Sequence, residues 1–453
     1  MVDIASVAGA DAEAKRKASM RGLIGACAGN MVEWYDFFIY AYLAIYFAPS
    51  FFPDSNQTSQ LLATAGVFAV GFFMRPVGGW VFGWIADTKG RKVSMIISVF
   101  MMCGGSLLIG LLPTYAAIGV AAPIMLLAAR MLQGLSVGAE YGTGATYISE
   151  VATKGKRGFF GSFQYFTIIL GQLSALFTVF LLQSILTEAE MQAWGWRIPF
   201  FIGAAAAIVV VYLRRAMTET AKDKAMHAKE AGSLRGLVPH WRAVLLVMAF
   251  TAGGSLYFYT FTTYMQKFLV VTVGFDKTTV TLIMTASLLV FMLAQPVFGM
   301  LADRIGVKRN MLLFTGIGTA LVVPILYGIA NVQNPFAAFA LIVSGLLIAT
   351  FYTPVSGLVK ADMFPASVRA LGVGFPYALA NACFGGTAEY AALFLRSHGI
   401  GDVYYYYVAA LLCIAFIAAV LMPDLRRHGY LDGDGQIERN TGLKTRAARR
   451  ASV

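Results

Sequence analysis

Charge is scarce in this chain. Only 13% of its 453 residues are Asp, Glu, Lys or Arg, against 58% hydrophobic residues and a mean hydropathy of +0.69. A soluble domain reaches about 45–50% apolar residues even with glycine counted. The composition therefore excludes soluble domains with a single anchor and points to a polytopic membrane protein. Cysteine is also sparse: Cys27, Cys103, Cys383 and Cys413 each fall in an apolar segment, which argues for small packing residues rather than a disulfide framework. The four histidines (His227, His240, His398 and His428) sit in expected loops, helix ends or the tail. A buried imidazole relay is thereby excluded, and membrane carboxylates are left as proton carriers. No Gly-x4-Gly-Lys-Ser/Thr loop exists, since the only Gly-Lys pair, Gly155-Lys156, runs into Arg157. Nothing is built to bind ATP, so any uphill work must draw on an ion gradient. No nucleophile–base pair or metal-ligating cluster is present either, so the expectation is no enzyme, no metal and no cofactor.

What the chain does have is long apolar segments separated by short loops. With about 20 residues needed per crossing, helices are expected near 22–47, 60–86, 92–112, 121–147, 159–186 and 197–213. Six more follow near 242–268, 277–302, 308–330, 336–360, 368–397 and 402–422. The basic arm 1–21 (Lys15, Arg16, Lys17, Arg21) precedes an apolar stretch too long for a signal-peptide core. The polar, basic loop 214–241 divides the chain into units 22–213 and 242–422, and the tail 423–453 is expected to be disordered. On this placement 29 of the 35 Lys and Arg residues fall on one side of the bilayer. Lys and Arg resist translocation, so that side is cytoplasmic and holds both termini. Arg197, Lys267, Lys277 and Arg396 fall opposite, and only Arg75 and Arg130 lie inside apolar segments. Topology thus accounts for the net charge of +12, and with no single basic face a nucleic-acid partner is rejected. The expected fold is an all-α membrane protein of twelve transmembrane helices in two pseudo-symmetric six-helix bundles.

The two halves repeat. Gly83-x3-Asp87-x2-Gly90-Arg91-Lys92 is echoed by Gly299-x3-Asp303-Arg304-x-Gly306, then Lys308 and Arg309, at an offset of 216 residues. Glu150-x6-Arg157 recurs as Asp362-x6-Arg369 at an offset of 212. Two motifs repeating at nearly one spacing indicate parallel repeats, an architecture that binds its substrate at the midplane between them.

The paired Gly-x3-Asp loops resemble the signature of the major facilitator superfamily. Within it, Gly29-Asn30-x2-Glu33-Trp34-Tyr35-Asp36-Phe37, Arg75-Pro76-x-Gly78-Gly79, Gln133-Gly134-x-Ser136-x-Gly138-x-Glu140-Tyr141 and Trp194-Gly195-Trp196-Arg197-Ile198-Pro199-Phe200 are similar to the metabolite–proton symporter branch. The run from Phe258 to Lys267, together with Phe384-Gly385-Gly386 and Glu389-Tyr390, resembles carriers of alpha-ketoglutarate in that branch. Thr88 stands where the loop motif usually carries Arg, and Val307 interrupts its second copy. The resemblance implies a monomeric secondary transporter in a bacterial inner membrane, with an organic dicarboxylate, protons and the lipid bilayer as its partners. Sister proteins carry citrate, other organic acids or osmolytes, which stay open as alternatives. So does a non-transporting metabolite sensor.

Candidate residues follow. Glu33 and Asp36 lie three apart on one helix face, and Glu140 shares the fourth helix with Arg130 and Gln133; with Glu389 they are the proton-coupling candidates. Gly134, Gly138 and Gly142 form a small-x3-small row suited to close helix contact. Arg75 lies about 18 Å along its helix from Asp87, as a substrate clamp for a carboxylate or as a partner of Glu33 or Asp36. Lys267, with Tyr257 on a related face, is a second substrate cation or a snorkelling lysine. Glu389 and Asn381 follow Pro376 in the eleventh helix, where Glu389 is alternatively part of a packing network. By resemblance to sugar–proton symporters, Asp36 pairs with Arg130, in proton coupling or as a permanent ion pair that holds the N-terminal half together, and Arg130 joins Arg75, Tyr257, Lys267 and Asn381 as substrate-binding candidates. Gly83, Asp87, Arg91, Asp303 and Arg304 are gating candidates, read as loop residues with no depth in the membrane, where the aspartates can sit near a neighbouring helix N-terminus, stabilised by its dipole, and latch one state.

Overall fold

The computed structural model describes residues 4–53, 57–215, 217–221, 226–227 and 231–431, and among them the chain is helical with no strand. Lipid offers no hydrogen bonds, so a spanning segment must satisfy its backbone internally, and long apolar runs become helices. The main helices are α1 (Ile4–Phe51), α2 (Gln57–Lys89), α3 (Arg91–Leu111), α4 (Ala121–Val151), α5 (Arg157–Ile185) and α6 (Ile198–Arg215). Next comes α7, which starts as Trp241–Tyr259 and runs on through π-helical Thr260–Tyr264, Met265–Phe268 and π-helical Leu269–Val273. It is followed by α8 (Lys277–Ile305) and α9 (Val307–Ala330). α10 begins as Pro335–Ala349 and resumes as Ser356–Asp362. α11 comprises Arg369–Ala380, π-helical Asn381–Gly385 and Ala388–Ser397, and α12 is Val403–Leu421. Ten of these, α2 to α10 and α12, contain stretches long and apolar enough to cross a membrane. α1, with Glu33 and Asp36, and the interrupted α11 pack among them.

Two glycines set the sharp breaks between α2 and α3 and between α8 and α9. Gly90 and Gly306 have φ of +105° and +96°, a region that side chains with a Cβ rarely adopt. In the first part of the chain α1 packs on α5 and α6, and α4 on α2 and α3; in the second, α12 packs on α7 and α9, and α8 on α10. The seam between the parts is made by α2 against α11, α4 against α11 and α5 against α8. It is a seam of glycines. A Cβ on Gly79 would stand 3.0 Å from the Gly374 carbonyl oxygen, one on Gly83 2.7 Å from Leu371 Cα, and one on Gly142 would strike the Gly374 backbone.

Parts of the expected linker and tail are docked. Arg214 and Arg215 complete α6, Gly232 donates its N–H to the Ser367 carbonyl at 3.0 Å, and Leu431 N–H donates to Asp362 at 2.8 Å. The expectation of a disordered tail otherwise concerns residues 432–453, which lie outside the described ones.

Candidate functional site

α2 and α4 touch backbone to backbone, because a Cβ at Gly134 would run into Gly71 and one at Gly138 into Arg75. This contact carries Arg75 and Arg130 into the interior, each 2% exposed. The Arg75 guanidinium lies 3.8 Å from the Phe72 ring centre, 4.6 Å from Phe37 and 5.7 Å from Trp34. Its Nε and Nη2 have no hydrogen-bond partner, and among the described residues no carboxylate comes within ion-pair distance. The alternative of a pair with Glu33 or Asp36 is therefore not realised. Aromatic faces hold the cation in place and leave its fork unused.

The direct Asp36–Arg130 pair is also corrected. Arg130 donates to Gln133 Oε1 at 2.7 Å, Gln133 Nε2 to Ser106 Oγ at 2.9 Å, and Ser106 Oγ to Asp36 Oδ2 at 2.6 Å. A three-bond relay replaces the ion pair, with Ser106 of α3 interposed. Asp36 Oδ1 and Glu33 Oε1 are buried without a partner. Glycine at 203 makes room for Asp36, since a Cβ there would strike its carboxylate.

Glu140 differs from the first-helix acids. It forms an ion pair with Arg214, and Ser98 Oγ lies 3.3 Å from its other oxygen. Arg214, read from hydropathy as a solvated linker residue, is fully buried. The last turn of α6 folds it back over Gly25 and Gly29, where a Cβ at Gly29 would meet its guanidinium. A buried pair of this kind holds α1, α4 and α6 together.

Two small cavities meet at Arg75. One is lined by Arg75, Arg130, Gln133 and Phe37, the other by Arg75, Glu33, Glu140, Tyr141 and Tyr377. Each has room for about one water molecule, so the structure is a closed form of the site.

Lys360 was missed by the sequence reading, which took it for the loop-side end of the tenth helix. It is fully buried in Ser356–Asp362 and donates to Tyr141 Oη at 2.8 Å and Ser356 Oγ at 2.9 Å. Its ammonium lies 4.5 Å from the Tyr377 ring centre and 4.8 Å from that of Tyr141, two rings stacked 3.4 Å apart. The available signal was the polar face Tyr352, Ser356, Lys360 at four-residue spacing.

Other candidates lie elsewhere. Lys267 and Glu389 form an ion pair with each other, their side chains 54% and 32% exposed, and neither lines the two cavities. Tyr257 is buried within the second part of the chain and donates to the Gly345 carbonyl at 2.9 Å. Asn381 begins the π-helical turn of α11, and neither its Oδ1 nor its Nδ2 has a partner.

Two of the gating candidates, Asp87 and Arg91, are not exposed loop residues. Asp87 and Arg91 are each 1% exposed, because the seam covers them. Asp87 accepts from the N–H groups of Ala370 at 3.0 Å and Leu371 at 2.9 Å, at the N-terminus of α11's first segment. Asp303 repeats the contact on Gly158 at 2.7 Å and Phe159 at 3.0 Å, at the start of α5. A carboxylate there satisfies orphan donors and complements the helix dipole. Arg91 adds Asp87 at 2.6 Å and Glu150 at 3.3 Å, and Arg369 reaches Glu150 at 2.7 Å. Arg304 is exposed beside this end of the molecule, hereafter the loop face.

Comparison with known proteins gives concordant matches. The family description "Sugar (and other) transporter" fits residues 22–232, and "Major Facilitator Superfamily" fits residues 261–449. The chain is 54% identical over 400 residues to the alpha-ketoglutarate permease of Escherichia coli (strain K12), covering 88% of this chain and 93% of that protein. It is 33% identical to the citrate-proton symporter of Klebsiella pneumoniae, covering 82% and 84%. Among solved structures, a proton:xylose symporter bound to 6-bromo-6-deoxy-D-glucose matches with a TM-score of 0.74 at 16% identity, covering 90% of this chain and 96% of that one.

Proposed function

The chain belongs to the major facilitator superfamily, a family of transporters rather than enzymes, and from that premise we propose that it imports alpha-ketoglutarate together with protons. The observation that carries this reading is the 54% identity to an alpha-ketoglutarate permease over nearly the whole of both chains. The site supports it. A guanidinium buried among aromatic rings with its fork unused suits a carboxylate, which accepts two parallel hydrogen bonds from it.

The fold is read as twelve crossings in two six-helix bundles, 22–213 and 242–422, joined by 214–241. The cation bias puts the loop face and both termini in the cytoplasm of a bacterial inner membrane. Asp87, Arg91 and Asp303, with Gly83 giving the close approach and Arg304 beside them, then form a cytoplasmic gate, shut in this state. Arg75 takes one substrate carboxylate, with Asn381 as a polar partner from the other bundle and Arg130 poised through its relay. Glu33 and Asp36 carry protons. Glu140, ion-paired, serves as their structural neighbour, while Lys267 and Glu389 close the far end of α7 on α11.

Charge balance asks for more than one proton. Moving one net negative charge inward against 100 mV costs about 2.3 kcal/mol. A dianion with one proton meets that cost, and two protons cancel it. The test is uptake of labelled alpha-ketoglutarate into proteoliposomes with an imposed pH gradient, competed by citrate, other organic acids and betaine. Stimulation by an acidic exterior and competition by dicarboxylates are expected. Uptake indifferent to the gradient, or competed best by betaine, rejects the assignment.

A further inference from the structure

We propose that Lys360 binds the second carboxylate of the substrate, so that Arg75 and Lys360, one from each bundle, hold a dicarboxylate across the seam; this rests on the dicarboxylate reading above. A cation inside a spanning segment is retained where it is paired or where it faces a pathway. Lys360 is not paired: among the described residues no carboxylate lies within ion-pair distance of its ammonium. Two of its three donors meet the neutral hydroxyls of Tyr141 and Ser356.

Its place in the fold supplies the pathway. Tyr141 belongs to α4 and Tyr377 to α11, so their stacked rings straddle the seam. Arg75 lines the cavity that these two rings wall. Lys360 packs on the same rings without lining that cavity. Parting the bundles parts the rings, and the two cations then face one space. The guanidinium offers a planar fork to one carboxylate, and the ammonium a point charge to the other. A monocarboxylate fills only the first place, so Lys360 is the residue that sets diacid against monoacid.

The experiment compares binding of alpha-ketoglutarate and 2-oxopentanoate, a monocarboxylate of equal carbon length, to the purified full-length protein. Ligand-dependent thermal stabilisation reports both folding and affinity. Wild type should prefer the diacid. Lys360→Gln should weaken diacid binding by on the order of a hundredfold, the usual scale for removing one partner of a buried charge pair. It should leave the monoacid unchanged, and Lys360→Arg should keep the preference. A Lys360→Gln protein that discriminates like wild type overturns the bridge alone. A wild type that binds no dicarboxylate overturns the substrate assignment and the bridge with it. A second measurement needs no substitution: acylation of wild-type lysines read by mass spectrometry. The diacid should protect Lys360 at concentrations where the monoacid does not, and equal labelling with and without the diacid overturns the proposal.

Discussion

Asp87→Asn tests the seam at a single atom. In the closed state Asp87 Oδ1 accepts from Ala370 N–H at 3.0 Å and Oδ2 from Leu371 N–H at 2.9 Å. Asparagine has the same shape, but it keeps one acceptor and turns the other into an amide that meets a backbone N–H donor to donor. A hydrogen bond to a charged group contributes about 1.5–3 kcal/mol, and a carboxylate at a helix N-terminus roughly 0.3–1 kcal/mol more. The loss of these two backbone contacts falls on the closed state alone, because only there does α11 stand against the carboxylate, whereas the ion pair with Arg91 lies within one half and is lost from both states. A destabilisation of about 2–3 kcal/mol corresponds to a shift of roughly 30- to 150-fold toward the open loop face, at tenfold per 1.4 kcal/mol. Spin labels at Lys89 and Arg309, both exposed at that face, report it as a longer distance gaining population. Asp303→Asn should act likewise, and the double variant should shift by about the sum, since the two contacts share no residue. Distance distributions identical to wild type in both single variants would refute the latch.

Three further outcomes are expected. Arg75→Lys keeps the charge but loses the bidentate fork, so diacid uptake in proteoliposomes should fall at least about tenfold; unchanged kinetics would remove Arg75 from the binding site. Arg214→Met strands Glu140 in the interior and should cost about 3–5 kcal/mol, seen as a lower melting temperature, with Glu140→Gln in the same protein restoring part of it. A single variant as stable as wild type contradicts the buried pair. Gly142→Val places a side chain against the Gly374 backbone and should penalise closure by about 1–3 kcal/mol, raising cysteine accessibility at the loop face; unaltered accessibility contradicts the glycine seam.

Hydropathy located several helices closely, the expected 92–112 falling on Arg91–Leu111 and 308–330 on Val307–Ala330, whereas the first, expected at 22–47, runs from Ile4 to Phe51 and those expected at 336–360 and 368–397 are interrupted. The glycine row of α4 was equally legible, because a four-residue spacing already implies a flat contact face. What sequence could not display was geometry involving three or more elements. The Asp36 relay runs through Ser106, whose helix nothing in the pairing argument invoked. Arg214 and Lys360 stand at span boundaries, where a hydropathy average assigns a charge to water although neighbouring helices close over it. Tyr257 and Lys267 lost their shared face to the π-helical turn Thr260–Tyr264 between them. Such a turn takes up an extra residue, so side chains beyond it depart from the 3.6-residue register. For Asp87 the contact with a helix N-terminus was legible but its depth was not: what buries it is α11, almost 300 positions later in the chain.

Asp87 bites the N-terminus of α11, and Asp303 bites that of α5. Each half of the polypeptide therefore carries both a hook and the eye for its counterpart's hook. Two identical copies of either half would possess a full set of matching fastenings, the self-complementarity that a twofold dimer requires. Chimeras follow the same logic: transplanting one half between related proteins preserves the clasp only where both the acid and the helix start it grips keep their shape.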